Sequence, residues 1–210
     1  MILLGLVMPK KTKAKRGLWV VISGPSGVGK STVVKRLLAN CPKFKISISA
    51  TTRTVRPIEK HKADYHFMSE AEFFEREKKG EFLEWAEVHN AYYGTPKSFI
   101  EEQLGKDQVV ISEVDVQGAS TIRDVISSGK IKSSIVFIFL IPPSVDILAF
   151  RLRRRKTEDE KVVNYRLRAA IAELQVMEKY DYIVVNDKVE SAAQKIEAII
   201  NVEKERVLLN

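Results

Sequence analysis

WVVISGPSGVGKSTVV, residues 19–34, places a β-branched run directly before a glycine-rich turn and a helix-like stretch. The segment fits the pattern G-x-x-x-x-G-K-[ST], with its fixed positions at Gly24, Gly29, Lys30 and Ser31. Glycines let consecutive backbone N–H groups turn around an anion, and the start of the helix adds partial positive charge. The segment therefore predicts a phosphate-binding loop inside a strand–turn–helix unit.

The side chains of this loop suit a nucleotide. Lys30 is placed to reach the β- and γ-phosphates, and the Ser31 hydroxyl is a ligand type that suits Mg²⁺, which prefers oxygen and is usually shared with phosphates. An ordinary glycine turn between a strand and a helix is the alternative interpretation. The residues expected to hold the phosphate donor are Gly24, Pro25, Ser26, Gly27, Val28, Gly29, Lys30, Ser31 and Thr32.

Composition limits the class of protein. With 210 residues, 45% of them hydrophobic, the chain suffices for one substantial core. Its 35 Lys and Arg against 27 Asp and Glu give a net charge of +8, which suits anionic partners such as nucleotides or nucleic acid. Cys41 is the only cysteine, which excludes an internal disulfide and favours a reducing compartment, the cytoplasm.

The chain start is apolar and then basic. MILLGLVM at 1–8 precedes KKTKAKR at 10–16, whereas a secretory signal has the reverse order and a longer apolar core. The apolar run 135–141 is too short to cross a bilayer, so no membrane association is predicted. Residues 1–16 are interpreted as a flexible basic extension, with binding of nucleic acid as the less favoured alternative.

Strand-like and helix-like runs alternate along the chain. This alternation predicts an α/β fold in which helices flank a mostly parallel sheet, with ligands beyond the carboxyl ends of its strands. The expected strands are Leu18–Ser23, Lys45–Ser49, Val109–Val114, Ser134–Ile141 and Tyr182–Val185, and the expected helices include Ser31–Asn40, Val116–Ser128 and Ser144–Arg154.

Two segments interrupt the alternation. Short aromatic runs between residues 50 and 96, separated by a helix that Ser69 and Glu72 are suited to open, predict a small inserted β-rich subdomain. Residues 151–168 are dense in charge and predict a helical lid, followed by a helix through about Lys179. The remaining core of a single domain, residues 17–210, is expected at 17–49, 97–150 and 169–210.

The inserted segment carries groups that suit a second anion. Arg53 and Arg56 lie three residues apart in TTRTVRPIE, and their guanidinium groups are able to bind a phosphate bidentately. Tyr65 and Tyr93 offer hydroxyl donors to the same anion, although ordinary strand aromatics remain an alternative.

One acid in the same segment suggests which base accompanies that phosphate. Glu84, in EFLEWAEV, offers two acceptor oxygens that match the N1–H and 2-amino donors of guanine and repel the N1 acceptor of adenine. Ser49 and Thr95 are candidates for O6 and neighbouring edges of the base. An exposed strand residue is the competing interpretation of Glu84.

The order of the motifs resembles that of the guanylate kinases, from about Leu18 to the final helix. It rests on ISGPSGVGKST, SISATTRTVRPIE, DYHFM, EFLEWAEVHNAYYGT, SEVDVQGA, the arginine-rich segment 151–168 and IVVND. The resemblance implies Mg²⁺-dependent phosphorylation of GMP by ATP, giving GDP and ADP. It also implies a P-loop kinase fold with a core, a GMP-binding region and a lid.

The resemblance also implies site residues. Guanine contacts are implied at Ser49, Glu84 and Thr95, and ligands of the GMP phosphate at Arg53, Arg56, Tyr65 and Tyr93. Glu113 corresponds to an acid near the guanine, Asp115 to one near the catalytic centre, and Asn186 to an adenine contact. Lys30 and the lid arginines Arg155 and Arg166 are expected to stabilise the transferring phosphoryl group.

The chain departs from the family pattern at a few loop positions. The family usually has glycine near Ile58, Lys62 and Lys156 and commonly proline at Val55, so the loop RPIEKHKAD, residues 56–64, is expected to differ in shape. A non-catalytic binding module and a kinase for another nucleoside monophosphate stay open as alternatives. A monomer and a homodimer are both compatible with the sequence.

Overall fold

Five parallel strands form the central sheet. The computed structural model describes residues 17–55, 60–61, 64–87, 90–127, 134–154 and 160–206. All four neighbouring strand pairs of this sheet are parallel, which confirms the predicted sheet. In order across the sheet, the strands are β2 (Lys45–Ser47), β7 (Val109–Glu113), β1 (Leu18–Ser23), β8 (Ser134–Ile141) and β9 (Tyr182–Val185).

Helices cover both faces of this sheet. They are α1 (Lys30–Asn40) and α7 (Val189–Glu205) on one face, and α3 (Lys97–Gly105) and α4 (Val116–Ser127) on the other. The central strand β1 is buried along its whole length, and its side chains alternate between the two faces. Leu18, Val20 and Ile22 pack with α1 and α7, whereas Trp19 and Val21 pack with α3 and α4.

A second, smaller sheet lies within the inserted segment. In order, its strands are β4 (His66–Phe67), β3 (Ala50–Thr51), β6 (Tyr92–Pro96) and β5 (Phe82–Glu87). Helix α2 (Glu70–Lys78) begins after Ser69, whose side chain accepts a hydrogen bond from the Glu72 backbone N–H. The predicted β-rich character of the insertion is confirmed, and its bounds stay a prediction.

Two further helices precede the last strand. They are α5 (Val145–Arg153), with Ser144 as its N-cap, and α6 (Glu160–Leu174). Leu148 and Leu152 of α5 are buried together with Val163 and Ala170 of α6, which makes a small core of their own. Within the parts of the chain that the structure describes, no helix is long and apolar enough to cross a membrane.

Two expected elements end earlier than the sequence indicates. β2 stops at Ser47 instead of Ser49, because the chain there leaves the central sheet: the Ser49 carbonyl accepts a hydrogen bond from His66 N at 2.9 Å. Helix α6 stops at Leu174, and only a short 3₁₀ helix, Met177–Lys179, follows it. Tertiary hydrogen bonds therefore set bounds that local periodicity does not reveal.

Candidate active site

A cleft of about 290 Å³ opens at the carboxyl ends of the central strands and joins the phosphate-binding loop to the second sheet. This is where ligands of such sheets are expected. Most of the predicted site residues line it: Gly24, Ser26, Gly27, Gly29, Lys30, Ser31, Thr32, Ser49, Arg53, Tyr65, Glu84, Tyr93, Glu113, Asp115 and Arg166. The cleft also includes Gly118 and Glu173, to which the sequence assigned no role.

The shape of the phosphate-binding loop depends on two of its glycines. Gly29 has φ 97°, a left-handed conformation that other residues rarely adopt, and α1 starts directly after it. At Gly24 a Cβ atom would lie 2.3 Å from the Leu140 carbonyl oxygen, so only glycine fits against β8. The loop is thus held tightly between β1 and α1, with its backbone facing the cleft.

The loop side chains meet an acid from β7. Lys30 Nζ donates to the Gly24 carbonyl at 2.6 Å, and Ser31 Oγ donates to Glu113 Oε1 at 2.6 Å. Burial raises the pKa of Glu113 above its ordinary value, although the Ser31 hydrogen bond and the nearby charges of Lys30 and Lys35 oppose that rise. Ser31 and Glu113 together present hard oxygen ligands next to the lysine.

The wall contributed by the second sheet is basic and aromatic. The Arg53 guanidinium lies 5.4 Å from the centre of the Tyr65 ring, and its Nε donates to Tyr93 Oη at 3.2 Å. The rings of Tyr65 and Tyr93 are 6.0 Å apart. The structure therefore brings together three of the four residues predicted to bind the acceptor's phosphate, and Arg56 lies outside the described residues.

Glu84 lies on the same side of the cleft and is almost completely buried. Thr95 Oγ1 donates to Glu84 Oε1 at 2.5 Å. The pKa of Glu84 is raised to about 7, mainly by loss of solvation; the Thr95 hydrogen bond opposes this rise and the Asp115 charge contributes to it. Thr95 itself is buried behind Glu84 and does not line the cleft, so it orients the acid from behind.

The contacts of two acids differ from the division that the resemblance implied. Glu113, expected near the guanine, is hydrogen-bonded to Ser31 of the phosphate-binding loop. Asp115, expected near the catalytic centre, lies beside Glu84 and contributes to its raised pKa. The reason is that β7 ends at Glu113, whose side chain contacts Ser31 of α1, whereas Asp115 directly precedes α4 and lies beside Glu84 of β5.

Asn186 lies behind the phosphate-binding loop. Its side chain is buried, and Nδ2 donates to the Val28 carbonyl at 2.7 Å. Arg151, which the predicted bounds place in the lid, donates to the carbonyls of Val28 and Asn186 at 3.2 and 2.9 Å. Both side chains thus support the loop from the core, and the adenine contact expected of Asn186 stays a prediction.

Helix α6 contacts the phosphate-binding loop at Ser26. Arg166 Nη2 donates to Ser26 Oγ at 2.8 Å, and the backbone N–H of Ser26 donates to Glu173 Oε2 at 3.1 Å. Arg166 and Glu173 are two turns apart on α6 and thus share one face. Glu173 lies 147 residues from Ser26 in sequence, so no local signal pointed to this contact.

For the phosphoryl transfer that the resemblance implies, we expect Ser26→Ala to lower kcat about tenfold while the KM values for donor and acceptor change less than twofold. The hydroxyl that the Arg166 guanidinium bonds is lost, and hydrogen bonds of charged groups contribute about 1.5–3 kcal/mol. Steady-state kinetics of the variant measure this. Ser120→Ala, an exposed serine of α4, is the control; an unchanged kcat in Ser26→Ala would show that Ser26 does not position Arg166.

Some predicted positions lie outside the described residues. These are Arg56 and the lid residue Arg155, the departures at Ile58, Lys62 and Lys156, and the basic extension 1–16.

Oxygen ligands for a divalent cation are few in this site. In the described ranges no group of three or more His, Cys, Asp or Glu residues is placed to hold a metal. Ser31 and Glu113 supply two adjacent oxygens, which fits Mg²⁺ because that ion takes one or two protein ligands and completes its shell with phosphates and water.

A parallel sheet with a phosphate-binding loop at its carboxyl end, facing a second polar wall, defines a P-loop kinase fold. Comparison with known sequences makes this specific: the sequence profile of the guanylate kinase family matches residues 16–203. The chain belongs to the guanylate kinase family.

Curated relatives match nearly the whole chain. A guanylate kinase of Caldanaerobacter subterraneus subsp. tengcongensis is 45% identical over 92% of this chain and 91% of its own length. One of Clostridium tetani is 46% identical over 92% and 89%. Among solved structures, the guanylate kinase of Anaplasma phagocytophilum superposes with a TM-score of 0.75 at 33% identity, covering 92% of this chain and 89% of that one.

Proposed function

We propose that the protein transfers the γ-phosphoryl group of ATP to GMP, giving ADP and GDP. Its relatives are guanylate kinases over almost their full length. One structural observation supports it most: a single cleft contains Lys30 of the phosphate-binding loop, Arg53 of the insertion and the buried acid Glu84. Lys30 suits the triphosphate of ATP, and Arg53 suits the phosphate of GMP. Glu84 suits a base that has two adjacent hydrogen-bond donors.

The proposed division of the cleft follows its contacts. The loop holds ATP through its backbone N–H groups and Lys30. Arg53, Tyr65 and Tyr93, with Arg56 as a further proposed ligand, bind the GMP phosphate; Glu84 and Asp115 accept from the guanine N1–H and 2-amino groups. Ser49 is proposed as a contact to the base from the cleft wall.

We propose Ser31 and Glu113 as the residues that hold Mg²⁺. A bound Mg²⁺ would supply positive charge that offsets part of the negative charge of the phosphates. Glu113 accordingly serves the phosphate side of the cleft and Asp115 the guanine side.

The chemical step needs positioning more than proton transfer. An ionised oxygen of the GMP phosphate attacks the γ-phosphorus in line with the departing ADP oxygen, so no general base is required at neutral pH. Lys30, Arg166 and Arg155 are proposed to stabilise the negative charge on the equatorial oxygens. Closing of the segment 151–168 is proposed to exclude water, which would otherwise hydrolyse ATP.

The experiment that tests this proposal is an ADP-release assay with ATP and Mg²⁺ in which GMP, AMP, CMP and UMP are compared as acceptors. Strong preference for GMP is expected. Turnover with none of the four would favour a non-catalytic binding module, and preference for another base would contradict the role of Glu84.

We propose the cytoplasm as the compartment, since the single cysteine, Cys41, is buried and free.

A further inference from the structure

The turn between β7 and α4 orients one of the two guanine-side acids. Asp115 occupies the N-cap of α4: its carbonyl accepts from Ala119 N at 3.0 Å, and its Oδ1 accepts from Gly118 N at 2.7 Å. A carboxylate oxygen bonded in this way is fixed relative to the helix. The side chain of Asp115 therefore has a set direction before any ligand arrives.

Gly118 also faces the second acid. A Cβ atom at this position would lie 3.1 Å from Asp115 Oδ1 and 3.4 Å from Glu84 Oε2. Because Thr95 already bonds Glu84 Oε1, Oε2 is the oxygen that points to Gly118 and the cleft. Both carboxylates therefore border the space that a side chain at position 118 would occupy.

Helix stability does not explain a glycine here. Gly118 is buried in the first turn of α4 and its φ is not in the left-handed region, so alanine would fit the backbone and favour the helix. The neighbouring residue, Ala119, is an alanine in the same helix. A Cβ atom here would meet Asp115 Oδ1, Glu84 Oε2 and, at 3.4 Å, Val114 Cβ, and the shortest of these approaches is the one to Asp115.

We propose that Gly118 is a specificity-determining residue, which keeps the Glu84–Asp115 pair open to the N1–H and 2-amino edge of the acceptor base. The inference rests on the proposed function, since it concerns the same guanine site. A methyl group at this position would press on Asp115 Oδ1 and narrow the approach to Glu84 Oε2, and a misfit of one methyl group in a tight pocket changes recognition by about 10-fold or more.

The test compares Gly118→Ala with Gly105→Ala. Gly105 ends α3, and a Cβ added there meets no atom within 4 Å, so this variant makes the same chemical change away from the cleft. Titration calorimetry measures the Kd of GMP and of ATP for each protein, and IMP, which lacks the 2-amino group, serves as a third ligand. Thermal unfolding reports stability.

For Gly118→Ala we expect the Kd of GMP to rise about tenfold, that of ATP to change less than twofold, and Tm to stay level or rise. The preference for GMP over IMP should shrink, and kcat at saturating GMP should stay within threefold of the wild type. Gly105→Ala should leave all three ligand affinities unchanged. Gly118→Ser, with a larger side chain, should weaken GMP further.

Two results would overturn the inference. One is unaltered GMP affinity and selectivity in Gly118→Ala. The other is a lowered Tm together with equal losses of ATP and GMP affinity in both Gly118 variants, which would mark a structural role. A wild-type protein that binds ATP but no GMP would instead contradict the proposed function, so the two failures are distinguishable.

Discussion

Lys30→Met is expected to lower kcat about 1000-fold, with the Kd of GMP unchanged within twofold. The lysine ammonium lies at the carbonyl of Gly24 in the phosphate-binding loop, next to the Ser31–Glu113 pair. Negative charge on the transferring phosphoryl group grows in the transition state, and a single cation at such a site accounts for roughly 10³-fold or more in rate. Methionine keeps the length of the side chain and removes the charge.

The measurement is ADP release at saturating ATP and GMP, with GMP affinity determined separately by calorimetry. Lys78→Met, an exposed lysine of α2, is the matched control and should keep wild-type kinetics. A loss of less than tenfold in Lys30→Met would contradict a role for Lys30 in the chemical step. Circular dichroism of both variants verifies that the fold is kept.

Glu84→Gln is expected to lower kcat/KM for GMP at pH 8 by roughly 100-fold or more, with KM for ATP unchanged. The amide places two donors where the guanine requires acceptors, and a buried donor left without an acceptor costs up to about 3 kcal/mol. Steady-state kinetics with GMP varied at fixed ATP measure this. Glu87→Gln, an exposed acid at the end of β5, is the control. Retained GMP selectivity in Glu84→Gln would contradict our assignment.

The same acid should make GMP binding depend on pH. The pKa of Glu84 is raised to about 7, mainly by loss of solvation, and only the ionised form accepts with both oxygens. GMP affinity should therefore fall about tenfold per pH unit as the pH decreases below 7. The GMP phosphate itself titrates near pH 6. Glu84→Gln keeps that second dependence and should lack the first, which separates the two.

Glu84 should also weaken the unliganded fold at high pH. Since its pKa is higher in the folded than in the unfolded chain, where 4.5 applies, the folded protein binds the proton more tightly. Its contribution to stability is complete below pH 4.5 and declines as the pH rises to about 7, by on the order of 3 kcal/mol. Urea unfolding at pH 5 and pH 8 should show a larger decline in the wild type than in Glu84→Gln, because the raised pKa of Glu113 contributes a decline to both proteins.

Much of the fold could be predicted from the sequence because its signals are local. β1 is buried on both faces, and its sequence is therefore a continuous apolar run. The strand, turn and helix around Lys30 lie within sixteen residues. The end of β2 could not be predicted, because the hydrogen bond between Ser49 and His66 joins distant parts of the chain.

The site was predicted less completely than the fold, because its contacts join residues that are distant in sequence. The residue types alone indicate the chemistry of the cleft: a lysine in a glycine loop, an arginine among tyrosines and an acid beside a threonine. Which neighbour each one meets depends on tertiary packing. The contact of Glu113 with Ser31 follows from the position of β7 beside α1, and the contact of Glu173 with Ser26 follows from the packing of α6.

The two tryptophans of the chain lie in very different surroundings. Trp19 is fully buried in the central sheet, where its indole N–H donates to Ser112 Oγ at 2.8 Å. Trp85 belongs to the insertion, is 39% exposed, and packs edge-on against Phe74 and Tyr92. The molecule thus contains two optical reporters: emission from Trp19 follows the integrity of the core, and red-shifted emission from Trp85 follows the insertion alone. The spectrum of a Trp85→Phe protein, subtracted from that of the wild type, yields the emission of Trp85 and thus reports on the insertion.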